Sequence, residues 1–265
     1  MKKILFVASE SVPFIKTGGL ADVVGSLPKS FPKEEFDVRV VIPNYTCIPW
    51  EYRSDFKYIT HFYMDLGQVS GSEYVGVLTT QYDGITFYFI DNQRYFGGNT
   101  PYGDTRFDIE KFCFFSKAAL SILPSINFKP DIIHCHDWQT GVLPVYLHTI
   151  FRDNHFYDNI KTIMTIHNLR FQGIWDIKTL QKITNFPDYV FRPDMEYNKD
   201  ANMLKGGMVY ANYITTVSNS YKNEIQNDYY GEGLDGVVRQ KSGDLYGILN
   251  GIDYNEYNPE TDNEI

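Results

Sequence analysis

Short, mostly apolar β-rich runs punctuate the chain at 4–8, 38–42, 86–90, 132–135, 162–166, 214–217 and 246–249. Several are apolar at successive rather than alternate positions, as a strand buried on both faces requires. Segments with helical spacing fall between them, at 20–30, 109–123, 141–151, 203–212 and 220–227. This alternation predicts an α/β fold: a Rossmann-like, doubly wound, mostly parallel sheet covered by helices. Pro28 lies inside the first helical segment and predicts a kink or an end there.

Two stretches break the alternation. Residues 58–90 read as short strands with Tyr82-Asp83-Gly84 as a hairpin turn, so a β-meander inserted in or beside the main sheet is expected. Residues 168–199 are rich in Phe, Pro, Asp and Asn, and their polarity predicts a surface segment or a cleft lining. The opening Met1-Lys2-Lys3 and the apolar run after it imitate a signal peptide. That run is short of the roughly 7–15 residues a secretory segment needs, and Glu10 follows it, so it reads as a first buried strand. No run approaches the ~20 apolar residues of a membrane span.

Composition narrows the classes. With 24 basic against 33 acidic residues and a net charge of −9, the chain lacks the basic surface of a nucleic-acid binder. A 43% hydrophobic content supports a sizeable core. The three cysteines, Cys47, Cys113 and Cys135, are odd in number and widely spaced, which argues against a disulfide framework and for a reducing cytoplasm. The 21 tyrosines suit sugar rings but serve equally as core and edge packing.

Candidate chemistry begins at Lys16-Thr17-Gly18-Gly19-Leu20-Ala21-Asp22, which follows the first strand and opens a helix. Bare amides at a helix start, with a neighbouring ammonium, form a seat for a phosphate or diphosphate. The spacing is not the dinucleotide G-x-G-x-x-G, and a glycine turn that merely tightens the strand–helix junction is the alternative. His134-Cys135-His136-Asp137 puts two imidazoles on one strand face, so a shared metal ion is one reading. Asp137 as a helix N-cap and His167 as a strand-end residue are the structural readings of the remaining two.

The ordered run Lys16-Thr17-Gly18-Gly19-Leu20-Ala21-Asp22-Val23-Val24-Gly25, then Leu27-Pro28-Lys29, closely resembles the N-terminal motif of glycogen and starch synthases. Further matching segments follow in order across the chain, among them Tyr102-Gly103-Asp104, Thr165-Ile166-His167-Asn168-Leu169 and Lys205-Gly206-Gly207. The resemblance implies the N-terminal, acceptor-side half of a two-domain (GT-B) glucosyltransferase. Residues 1–253 would form that domain and 254–265 the start of an interdomain linker, with the C-terminal nucleotide-sugar-binding domain absent. It implies transfer of glucose from ADP-glucose to the non-reducing end of an α-1,4-glucan such as glycogen, with retention, without metal or cofactor. The branch of the family it resembles implies ADP-glucose rather than UDP-glucose as donor. The resemblance assigns Lys16, Asp22, Asp137 and His167 as catalytic. It assigns Lys16, Gly18, Gly19, Tyr95 and Asn250 to substrate binding, the last two near the adenosine or the domain junction. The alternatives are another retaining transferase of this architecture (sucrose synthase-like), a non-catalytic glucan-binding module, and a metal-dependent hydrolase built on His134 and His136.

Overall fold

A computed structural model describes residues 1–251 together with Asn258 and Glu260. The expected boundary at 253/254 lies outside the described residues. The described strands are β1 (Lys2–Val7), β2 (Phe36–Pro43), β3 (Lys57–Asp65), β4 (Ser72–Tyr82), β5 (Ile85–Asp91), β6 (Ile132–His136), β7 (Lys161–Ile166), β8 (Ile174–Trp175), β9 (Glu196–Tyr197), β10 (Asp200–Asn202), β11 (Tyr213–Thr216) and β12 (Leu245–Gly247). Nine of them form one sheet in the order β12-β11-β7-β6-β1-β2-β5-β4-β3, and β8-β10-β9 form a small second sheet. The seven apolar runs become β1, β2, β5, β6, β7, β11 and β12, and every pairing among them is parallel. Burial explains why: Leu5, Phe6 and Val7 are successive in β1 and all wholly buried, so both faces of this strand are covered. Each such side chain contributes about 1.5–3 kcal/mol on leaving water.

The meander is part of the main sheet. β5 is a full parallel member, and β4 and β3 extend its edge antiparallel. Asp83 (φ 51°) and Gly84 (φ 77°) are both left-handed, the backbone a tight two-residue hairpin needs. The first helix, Gly19–Ser26, gives way at Pro28 to a single tight turn, Leu27–Ser30.

The polar stretch 168–199 lies at the surface and lines a cleft, as expected, through Lys178, Gln181, Lys182, Asn185 and Phe186, and it also adds to the core. It carries β8, β9 and an amphipathic helix, Ile177–Thr184, and it buries Leu169, Leu180, Ile183, Phe186, Val190, Phe191 and Met195. Polar residues dominate its count, but its apolar ones recur every third position along that helix and point inward.

Close backbone approach explains part of the Lys205-Gly206-Gly207 segment. A Cβ on Gly207 would sit 2.9 Å from the carbonyl oxygen of Gly141, and one on Gly141 would sit 2.3 Å from that of Met203. The helices Val142–His148 and Met203–Tyr210 therefore meet through bare backbone.

Candidate functional site

Strand order decides where a groove opens. From β1 the chain moves outward to β2 and β5, then returns to the other side of β1 as β6 and continues to β7, β11 and β12. The reversal lies between β1 and β6, and ligands of open α/β sheets sit beyond the carboxyl ends of strands at such a switch point. Glu10 follows the carboxyl end of β1, Asp137 that of β6 and His167 that of β7.

The loop after β1 is anchored at its base and bare at its tip. Phe14 is 2% exposed and packs edge-on against Tyr52, Phe56, Tyr82, Phe87 and Phe89. The buried carboxylate of Glu10 accepts the Thr17 backbone N–H, the Thr17 hydroxyl at 2.7 Å and the Tyr102 hydroxyl at 2.6 Å. Tyr102 also shares a hydrogen bond with Ser9 at 2.8 Å. Beyond this clamp, Lys16 to Gly19 are exposed. Gly18 is extended (φ −159°) and caps the helix Gly19–Ser26 with no side chain of its own. A Cβ on Gly18 or Gly19 would meet nothing within 4 Å. Neither backbone strain nor packing accounts for these two glycines. Gly25 differs, because a Cβ there would lie 2.7 Å from the Val12 carbonyl oxygen, where helix and loop touch.

Lys16 reaches Asp22 in the first turn of that helix, with Nζ 2.7 Å from Oδ1 and the two side chains 40% and 33% exposed. A pair this exposed is worth at most about 1 kcal/mol, so an arriving anion can take the ammonium over.

The opposite wall is a histidine ladder. His134 stacks on His136 with ring centres 4.3 Å apart, and His136 stacks on His167 at 5.3 Å. Nδ1 of His136 lies 2.9 Å from Nε2 of His167. Nε2 of His134 is 2.5 Å from the Thr165 hydroxyl, which is itself 2.5 Å from that of Thr215. Burial pushes all three imidazoles down, His134 to about 3, His167 to about 4 and His136 well below its ordinary value, so all are neutral at pH 7.

Asp137 takes a left-handed backbone (φ 54°) and turns its carboxylate toward the end of β7, where Oδ1 accepts the His167 backbone N–H at 2.7 Å. It does not cap the short turn that follows it, Trp138–Thr140. Burial raises its carboxyl to about 7. The backbone amides of His167 and Asn168 pull the other way, and the charge of Glu10 adds to the rise.

Lys16, Gly18, Gly19, Asp22, Asp137 and His167 thus all stand at the carboxyl edge of the sheet. Asn250 is exposed three residues beyond β12, at the same edge. Tyr95 is placed differently: it is 1% exposed, stacked on Phe114 at 4.7 Å, with its hydroxyl 2.8 Å from Glu110. Tyr95 is thus packed into the core of this chain, while the resemblance implies a place near the adenosine or the domain junction. Among the described residues no group of three or more His, Cys, Asp and Glu is arranged to hold a metal ion. Nε2 of His134 is engaged by Thr165. Sequence reasoning passed over Glu10, whose partners come from loops at 17 and 102 and leave no local mark.

A profile described as the starch synthase catalytic domain matches residues 3–240. The glycogen synthase of Lachnospira eligens is 62% identical over 266 residues, spanning 100% of this chain and 55% of that protein. The glycogen synthase of Lachnoclostridium phytofermentans is 62% identical over 263 residues, spanning 99% and 55%. The catalytic domain of starch synthase IV from Arabidopsis thaliana, bound to ADP and acarbose, superposes with a TM-score of 0.84 at 29% identity, over 99% of this chain and 54% of that one. The chain spans about half the length of the curated relatives it matches.

Proposed function

Because this chain belongs to the starch synthase catalytic domain family, we propose that it forms the acceptor-side wall of a glucosyltransferase cleft. The whole enzyme moves glucose from ADP-glucose to the 4-hydroxyl at the non-reducing end of an α-1,4-glucan, with retention. The observation that carries this reading is the pair Gly18–Gly19: exposed, at a helix start, beside Lys16, and required by neither the backbone nor the packing. Glycines with no structural reason are explained by something that must come close to the backbone.

In this reading the distal phosphate of the donor lies against the amides of Gly18 and Gly19, and Lys16 leaves Asp22 to pair with it. As the bond from the anomeric carbon to that phosphate breaks, charge grows on the phosphate oxygen. Preorganised amides, the helix dipole and an ammonium stabilise that charge more than the ground state. The leaving phosphate takes the proton of the incoming 4-hydroxyl on the same face of the sugar, which preserves configuration without a covalent enzyme intermediate. His167 is neutral and bonds sugar hydroxyls through its outer nitrogen, while Asp137 fixes the backbone that presents it. The arginine and lysine clamps on the diphosphate, and the nucleoside pocket, belong to the half outside this chain. The same-edge placement of Lys16, Asp22, Asp137, His167 and Asn250, and the relatives' names, support the reading.

Gly18→Thr tests it. Thr and Gly are comparable N-caps and the site has room, so the unfolding free energy of this chain stays within about 0.5 kcal/mol of wild type. In the whole enzyme, kcat/KM for ADP-glucose falls at least about a hundredfold, the scale of losing one oxyanion-type donor. Unchanged kcat/KM with unchanged stability would refute the reading.

A further inference from the structure

The structure assigns to His136 a role that rests on the reading above: it is a positioning residue that fixes the tautomer of His167, so that His167 presents Nδ1–H, a donor, to the groove.

The geometry begins with enclosure. His136 is wholly buried, with Phe6 (5.5 Å, 23°) and His134 (4.3 Å, 27°) stacked against its ring and His167 at its Nδ1 edge. It makes one side-chain hydrogen bond, from Nδ1 to Nε2 of His167 at 2.9 Å. Its other nitrogen, Nε2, is buried without a partner. His167 is only part-buried, and no described residue bonds its Nδ1. The backbone of His167 is held separately by Asp137. The end of β6 therefore grips the turn after β7 twice, once by main chain and once by ring.

Two neutral imidazoles sharing one hydrogen bond have one proton between them, which leaves two arrangements. If Nε2–H of His167 donates, His136 carries its own proton on Nε2, an N–H sealed in the interior with nothing to receive it. If Nδ1–H of His136 donates, the buried nitrogen is a bare lone pair, and His167 carries its proton on Nδ1. Among buried backbone groups, orphaned N–H donors are rarer than under-satisfied carbonyls, and the same preference carried to the ring leaves a lone pair rather than an N–H without a partner. The aromatic neighbours lie over the faces of the His136 ring, where an in-plane N–H does not point. The second arrangement follows. Burial holds both rings neutral, so the choice persists at working pH. The ligand group His167 recognises is then an acceptor oxygen of the sugar.

The test is a two-bond 1H–15N spectrum of this chain, 15N-labelled at histidine, at pH 7.5. The expected pattern for His167 is a protonated Nδ1 and a bare Nε2. A protonated Nε2 on His167 overturns the proposal, whatever any variant does. His136→Asn keeps an amide donor close to the place of Nδ1, and His167 stays in the Nδ1–H form. His136→Asp offers only an acceptor, and His167 switches to Nε2–H. Insensitivity of His167 to both substitutions, in folded protein, also overturns it. In the whole enzyme His136→Phe lowers kcat about a hundredfold with little change in KM, and His136→Asn restores most of it. Retained tautomer control alongside no ADP-glucose turnover would sink the proposed function and leave this inference standing.

Discussion

Lowering the pH from 7 to 5 destabilises this chain, and the histidine ladder is the reason. His134, His136 and His167 stay neutral when folded, with His134 and His167 lowered to about 3 and about 4. In the unfolded chain each titrates near 6.5. The folded pKa is depressed below the unfolded one, so stability is present above about 6.5 and lost as the pH falls toward the folded values. At pH 5 unfolded His134 and His167 each gain about 2 kcal/mol from protonation that the folded state refuses, about 4 kcal/mol together, and His136 acts in the same direction. Asp137 works the other way. Its folded carboxyl is raised to about 7 from 3.8, so its penalty is present at high pH and relieved on acidification, returning about 2 kcal/mol between pH 7 and 5. The histidines win by at least about 2 kcal/mol, a sizeable share of a typical 5–15 kcal/mol stability. Urea unfolding of the chain at half-unit pH steps reads this directly. His167→Asn removes about 2 kcal/mol of the acid loss. Asp137→Asn abolishes the opposing return and makes the loss steeper by about the same amount. A wild-type stability flat from pH 7 to 5, or the same slope in both variants, refutes the reasoning.

Three further outcomes are expected. Gly25→Ala gains up to about 1 kcal/mol in helix propensity, but its methyl strikes the Val12 carbonyl at 2.7 Å, so thermal melting shows a net loss of about 1–3 kcal/mol. Tyr102→Phe deletes one of the hydroxyls on the Glu10 carboxylate, costing about 1–3 kcal/mol by melting and speeding amide exchange at Thr17. The 265-residue chain alone elongates no glucan from radiolabelled ADP-glucose, because half a cleft neither excludes water nor aligns two substrates; clear elongation would refute this.

The parallel strands were legible because burial on both faces writes itself as unbroken apolar runs, as in Leu5-Phe6-Val7. The helix Ile177–Thr184 was not, although Ile177, Leu180 and Ile183 repeat at helical spacing and Asp176 and Asn185 cap it. Its other positions are polar, and neighbouring Pro and Asn read as loop. The glycine loop could be found as a motif, but only coordinates separate Gly18, with open space, from Gly25, jammed against Val12. Glu10 and His136 acquire their roles from partners far along the chain, at 102 and 167, and nothing local announces such pairings. Burial of this kind is equally silent at Tyr95: nothing in the sequence around it announces that its hydroxyl is engaged by Glu110.

The hairpin tip at Asp83–Gly84 joins β4 to the amino end of β5, whereas the groove opens at the carboxyl ends of the parallel strands. The seven residues of β5, at roughly 3.3 Å each, put about 23 Å between them. That tip is therefore the place to graft a fluorophore or an affinity tag, where it reports on the protein without crowding incoming sugar.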